Sequence, residues 1–275
     1  MPTIEWAGLS DQGPVRDNNE DYIASHVPDD PQLRDLKGHM LTVADGVGGN
    51  RAGEVASSRA TTHLIERYYA SSNRRPPAAL HEAFQQTNLH ICDLGMTCPE
   101  YRRMETTLSA LVLVGMQAFI AHVGDSRIYH LRGSRIAQIT RDHSEVAELV
   151  RMQILTPEEA QHHPRRNIIT RSVGSELMLP IDTFSLKVER GDYFVLCTDG
   201  LWEPLAEQEI ATTVSGASSE DACHALIDLA LTRGTSDNLS VQVAHVVELS
   251  KTAPETKREG LLQRLPFRSW FTSVS

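Results

Sequence analysis

The chain predicts an α+β fold with helices packed on the faces of antiparallel sheets, and three observations carry that expectation. Short, β-branched apolar runs bounded by turn residues recur along its 275 residues, as strands do. Two long segments between them carry apolar residues at helical spacing. The runs of the central region follow one another directly, without the helix that a parallel crossover inserts.

The first run is Met40 to Ala44, followed by helical patterns over Gly53 to Ala70 and Pro77 to Leu94. Leu108 to Val114, Ala118 to Val123, Arg127 to Leu131 and Arg135 to Thr140 come next, joined at Gly115, at Gly124-Asp125-Ser126 and at Arg132-Gly133-Ser134. Connections this short predict an antiparallel meander. Asp142 to Glu145, Thr156 to Glu159 and Ser218 to Asp221 have the composition of helix N-terminal caps. Tyr193 to Thr198 and Leu239 to Val247 are the last two strands. No Pro/Gly/Ser-rich linker divides the pattern, so one domain is expected over residues 1–250. From Lys251 to Ser275 the pattern is lost, and five Lys and Arg against two Glu make a basic, flexible tail the expectation.

A net charge of −10 argues against a nucleic-acid partner, which needs a basic surface. The four cysteines show no CxxC spacing, which suits reduced thiols and a cytoplasmic location. No run approaches the roughly 20 apolar residues of a membrane span. A monomer that is not an integral membrane protein is expected.

The chemistry is carried by acids placed where apolar runs stop. Asp45 follows Met40 to Ala44, Asp125 follows Ala118 to Val123, Asp199 follows Tyr193 to Thr198, and Asp237 precedes Leu239 to Val247. Glu20 and Asp21 stand near the N-terminus. Each Asp-Gly pair alone would be an ordinary turn. Together, carboxylates gathered at strand ends repel one another and take up protons unless a divalent cation neutralises them. Other chemistries lack their patterns: the 12 His show no HExxH spacing, no GxSxG elbow occurs, and Gly46, Gly48 and Gly49 do not complete a nucleotide loop.

Arg16-Asp17-Asn18-Asn19-Glu20-Asp21, Val43-Ala44-Asp45-Gly46-Val47-Gly48-Gly49, Gly124-Asp125-Ser126-Arg127, Thr198-Asp199-Gly200 and Asp237-Asn238 stand in family order. In this the chain resembles the metal-dependent Ser/Thr protein phosphatases of type 2C over roughly Ala7 to Val247. Thr140 to Ser144 and Leu155 to Arg171 resemble the bacterial branch. The resemblance implies a four-layer α-β-β-α sandwich with metals in a cleft at one end. It implies that Asp45 bridges two Mn²⁺ or Mg²⁺ ions, that the Gly46 carbonyl binds one, and that Asp199 and Asp237 ligate the other. Asp125 with Asp199 would hold a weaker third ion, and Glu20 and Asp21 would bind through water or orient ligands. Arg16 would clamp phosphate, since a guanidinium fork matches two phosphate oxygens. Arg16 and Asp45 are thus the expected catalytic residues. The implied activity is hydrolysis of phosphoserine and phosphothreonine in proteins by a water the ions share, reversing a Ser/Thr kinase. Val47 stands where many eukaryotic members carry a His that protonates the leaving group, and Glu203 stands where Asp is common. Two other readings remain at this stage: a non-catalytic phosphoprotein binder, and a two-metal hydrolase of small phosphate esters.

Overall fold

The computed structural model describes residues 2–47 and 52–249; Gly48, Gly49 and the basic segment from Lys251 to Ser275 lie outside them. One antiparallel sheet holds β1 (Thr3–Asp11), β7 (Arg127–Arg132), β8 (Arg135–Gln138), β10 (Tyr193–Cys197) and β11 (Leu239–Glu248), in the order β1-β11-β10-β7-β8. The other runs β2-β3-β5-β6-β9, from β2 (Asp21–His26), β3 (His39–Val47), β5 (Leu108–Val114), β6 (Gln117–Val123) and β9 (Asp182–Lys187). A two-residue strand, β4 (Glu105–Thr106), pairs with the end of β3. Helices α2 (Ala52–Ala70) and α3 (Pro76–Thr97) cover the second sheet, and α7 (Glu207–Val214) and α8 (Ser219–Thr232) cover the first. Four shorter helices, α1 (Pro31–Lys37), α4 (Glu145–Arg151), α5 (Pro157–Gln161) and α6 (Asp199–Trp202), sit in the connections. This is the expected four-layer sandwich.

Because both faces of each sheet are covered, central strands bury alternate residues in different cores. On β3, Leu41 and Val43 enter the core between the sheets while Met40 and Ala44 face α2 and α3. On β10, Phe194 and Leu196 enter the inter-sheet core, and Val195 and Cys197 face the helices on the other side. Hence these strands read as continuous apolar runs rather than as alternating ones. The caps form as expected: the Ser144, Thr156 and Ser218 side chains accept from backbone N–H groups of the first turns of α4, α5 and α8, and Thr156 with Glu159 closes a capping box.

The meander is corrected. β5 and β6 form one hairpin and β7 and β8 another, but β6 pairs onward with β9 while β7 pairs with β10 in the opposite sheet. The chain changes sheets at Gly124, whose φ of 111° favours glycine, and a Cβ there would come within 2.5 Å of the Thr107 side chain. Among the described residues, no helix is long and apolar enough to cross a membrane.

Candidate metal centre

Every expected acidic residue lies at the same end of the sandwich, and each arrives by a different route. Asp45 lies inside β3, which continues to Val47 instead of ending before it. Asp21 begins β2 and stands directly opposite Asp45 in the antiparallel register. Asp125 occupies the corner where the chain changes sheets. Asp199 leaves β10 as the first residue of α6, and Asp237 precedes β11. Like charges placed this way destabilise one another unless something of opposite sign joins them.

The proton affinities record the crowding. Burial, then the charges of Asp199, Asp21, Asp125 and Asp237, hold the Asp45 carboxyl well above the usual range. Burial, followed by Asp125, Asp237 and Asp21, does the same to Asp199. Burial pushes Asp21 and Asp125 up to about 7, and it also raises Glu20. Against these acids stands Arg16, exposed, with Nη2 donating to Asp237 Oδ2 at 2.6 Å. The expected phosphate clamp is therefore engaged with an acid of the centre in this structure.

Backbone and neighbouring side chains fix the acids. The Asp45 N–H donates to Thr107 Oγ1 at 2.9 Å, and the Asp45 carbonyl accepts from Thr106 Oγ1 and from the Thr107 N–H, each at 2.8 Å. Thr107 Oγ1 in turn meets Ser126 Oγ at 2.7 Å, next to Asp125. Thr198 Oγ1 donates to Asp21 Oδ2 at 2.7 Å and accepts from the Ser240 N–H, which ties the two sheets together at the site. The Asp125 carbonyl accepts from Trp202 Nε1 at 3.0 Å, and Arg127 stacks on that indole. Asn238 joins two loops of the centre: its N–H donates to Asp237 Oδ1 at 2.8 Å, its Nδ2 donates to the carbonyls of Gln12 and Asn18, and its Oδ1 accepts from the Glu20 N–H in the segment that carries Arg16. Glycines admit the close approaches. A Cβ on Gly46 would sit 2.1 Å from the Gly53 carbonyl oxygen at the start of α2, and one on Gly53 would meet the Glu20 carboxyl. No role was read from the sequence for Thr106, Thr107, Thr198, Ser126 or Trp202, although Ser126 and Thr198 stand inside the motifs of the family resemblance. For Thr106, Thr107 and Trp202 the signal was position alone, as polar or aromatic residues near an acid or an apolar run.

Among the described residues, no three His, Cys, Asp or Glu side chains are already closed around a point that could hold a cation. The donor set nevertheless fits hard divalent cations. It is all oxygen, its carboxyls carry more charge than their burial tolerates, and Asp21 Oδ1 is buried with no hydrogen-bond partner.

The protein phosphatase 2C family model matches residues 14–239. Protein phosphatase PhpP of Streptococcus pneumoniae serotype 2 is 37% identical over 250 residues, covering 89% of this chain and 98% of its own. The Streptococcus agalactiae serine/threonine phosphatase structure superposes with a TM-score of 0.80 at 35% identity, covering 89% of this chain and 100% of that one. The catalytic domain of the serine/threonine phosphatase PstP, solved in complex with two manganese ions, gives a TM-score of 0.77 at 33% identity, covering 89% and 99%. The span matched by the family model begins before Arg16 and ends after Asp237, taking in every acid of the centre, and the chain belongs to the protein phosphatase 2C family.

Proposed function

We propose that this enzyme removes phosphate from phosphoserine and phosphothreonine in proteins, with Asp45, Gly46, Asp199 and Asp237 holding two divalent cations and Asp125 serving a third. What carries the reading is the convergence, at one end of the sandwich, of Asp21, Asp45, Asp125, Asp199 and Asp237 from both sheets, with one exposed arginine beside them. Mn²⁺ is the first choice, since the similar PstP catalytic domain was solved with two manganese ions, and Mg²⁺ suits the same oxygen donors. When bound, such a pair supplies an acidified attacking water and neutralises charge on the transferring phosphoryl group.

The chain's own groups do the rest. Asp45 and Asp21, held by Thr107 and Thr198, fix the position of the positive charge. Glu20 shares the backbone anchoring of Gly46, whose N–H donates to the Glu20 carbonyl at 3.1 Å. Arg16 leaves Asp237 to grip the substrate phosphate with two N–H groups. Val47 carries no proton, so in this reading the departing serine or threonine oxygen takes its proton from water. An opposing Ser/Thr kinase, a cytoplasmic location and a monomeric state complete the proposal, and the four free thiols suit a reducing compartment. The catalytic domain is assigned to residues 1–250. Purified protein should release phosphate from a phosphothreonine peptide with Mn²⁺ and stop in excess EDTA; undiminished turnover in chelator would overturn the metal assignment.

A further inference from the structure

Beside the metal centre, a groove of about 320 Å³ opens between the C-terminal part of α3 and the segment from Gly174 to Leu177. Its walls are fastened. Asn88 on α3 accepts from the Gly174 N–H at 2.9 Å and donates to the Glu176 carbonyl at 2.7 Å, and Cys92 Sγ reaches the Gly174 carbonyl at 3.4 Å. Gly174 has φ 100°, and a Cβ there would meet the Met104 carbonyl oxygen at 2.7 Å. The groove therefore persists without an occupant.

Its lining combines two features that a free surface rarely keeps together. Met96 and Leu177 are 71% and 59% exposed, and adjoining Met178 is 87% exposed. Arg102 and Arg103 line the same groove side by side, both exposed, and neither forms an ion pair among the described residues, so both guanidinium groups are free to meet an anionic occupant. Glu176 is the single acid of the lining, so the groove is cationic on a chain of net charge −10. An anionic, partly apolar occupant complements it. The basic C-terminal segment has the wrong sign.

Position decides between the remaining occupants. Met104 lines the groove, and the residues after it, Glu105 and Thr106, pair with Val47 and Gly46. The inner end of the groove thus lies on the order of 10 Å from the end of β3, counting one strand spacing and one or two residues. We propose that the groove receives the substrate polypeptide on one side of its phosphorylated residue. It would select a segment that sets an acidic side chain against Arg102 and Arg103 and an apolar one against Met96 and Leu177, about three to five residues from the phosphate. This inference rests on the phosphoprotein reading above and names the sequence class that reading leaves open.

The test uses phosphothreonine peptides carrying a Glu-Leu pair, or a Lys-Ser pair, at those offsets on either side, with p-nitrophenyl phosphate as the substrate that cannot reach the groove. On one side, the Glu-Leu peptides should give kcat/KM about tenfold above the Lys-Ser peptides. Arg102→Glu with Arg103→Glu should invert that order. Arg103→Asn, chosen because Asn tolerates the φ of 62° at this position, should weaken the preference about threefold, the size of one exposed ion pair. Met96→Ser with Leu177→Ser should raise KM for Glu-Leu peptides, and p-nitrophenyl phosphate turnover should be unchanged in all three variants. Wild-type indifference to the flanking pair, or a preference that survives charge reversal, overturns the groove assignment. So does sedimentation showing a dimer that the variants dissociate, which would make the groove a contact between copies. Loss of hydrolysis of p-nitrophenyl phosphate and of every peptide by wild-type protein would instead strike the phosphatase reading itself.

Discussion

Asp21 and Asp45 are paired partners across β2 and β3, two carboxylates in register on adjacent antiparallel strands. Such a pair weakens the sheet that contains it. Removing one charge should therefore have opposite effects on the fold and on the centre. Asp45→Asn should raise the Tm of chelator-treated protein by about 2–4 °C for each kcal/mol of repulsion relieved. Added Mn²⁺ should no longer raise Tm, and phosphopeptide turnover should fall by on the order of a hundredfold or more. An Asp45→Asn protein that still gains stability from Mn²⁺ would remove Asp45 from the ligand set.

The raised carboxyls also set a pH dependence for the metal-free protein. A carboxyl whose folded pKa lies above its unfolded value favours the fold while protonated in both states, and that advantage is lost as pH rises from the unfolded toward the folded pKa. For Asp21 and Asp125, raised from 3.8 to about 7, the window runs from about pH 4 to pH 7. Melting curves in EDTA should show Tm falling across that window as the two groups together give up on the order of several kcal/mol of stability, and Mn²⁺ should flatten the slope. If metal-free protein instead gains stability from pH 5 to pH 7, other groups outweigh the centre.

Arg16 is bonded to Asp237 and, in the proposed reaction, to phosphate, and the two tasks compete. Arg16→Ala should tighten Mn²⁺ binding several-fold by calorimetry, because a cation no longer displaces a guanidinium, while lowering kcat/KM on phosphopeptides at least tenfold. Arg16→Lys should recover little of the second effect, since a point charge lacks the fork. Parallel loss of metal affinity and activity would mean that Arg16 is a structural support.

Gly46 is packed so closely against α2 that a methyl group has nowhere to go: the nearest atom is a backbone oxygen 2.1 Å from the added carbon. Gly46→Ala should shift β3 away from Gly53, disturbing the Glu20 and Asp45 backbone anchors together. Tm should fall by several degrees and Mn²⁺ affinity should drop about tenfold or more. A neutral substitution would show that α2 retreats freely.

Much of this was legible in the sequence, for a physical reason. Strands covered on both faces, such as β5 and β10, are uninterrupted apolar runs, and acids at their ends stand out sharply. β1, β2 and β9 were not expected because exposed and buried residues are mixed along them and no apolar run marks them. Sheet membership was not legible either, because the one-glycine corner at Gly124 resembles a hairpin turn until the pairing partners are known. Within the site, the acids were readable and their holders were not. The hydroxyl contacts of Thr107 and Thr198 depend on strands far apart in sequence that meet only in the folded chain.

Pairing of the first strand with the last has a temporal consequence. β1 lies against β11 from Thr3 opposite Glu248 to Asp11 opposite Leu239, and Asn238 secures the Gln12 to Glu20 loop from just before β11. During synthesis, the segment bearing Arg16 and Glu20 therefore waits through more than two hundred residues for the strand that positions it. Contacts of such sequence separation form slowly and late. A growing chain would hold a nearly finished sandwich with no working centre, so hydrolysis would begin only when the final strand is inserted, making catalysis the last property the fold acquires.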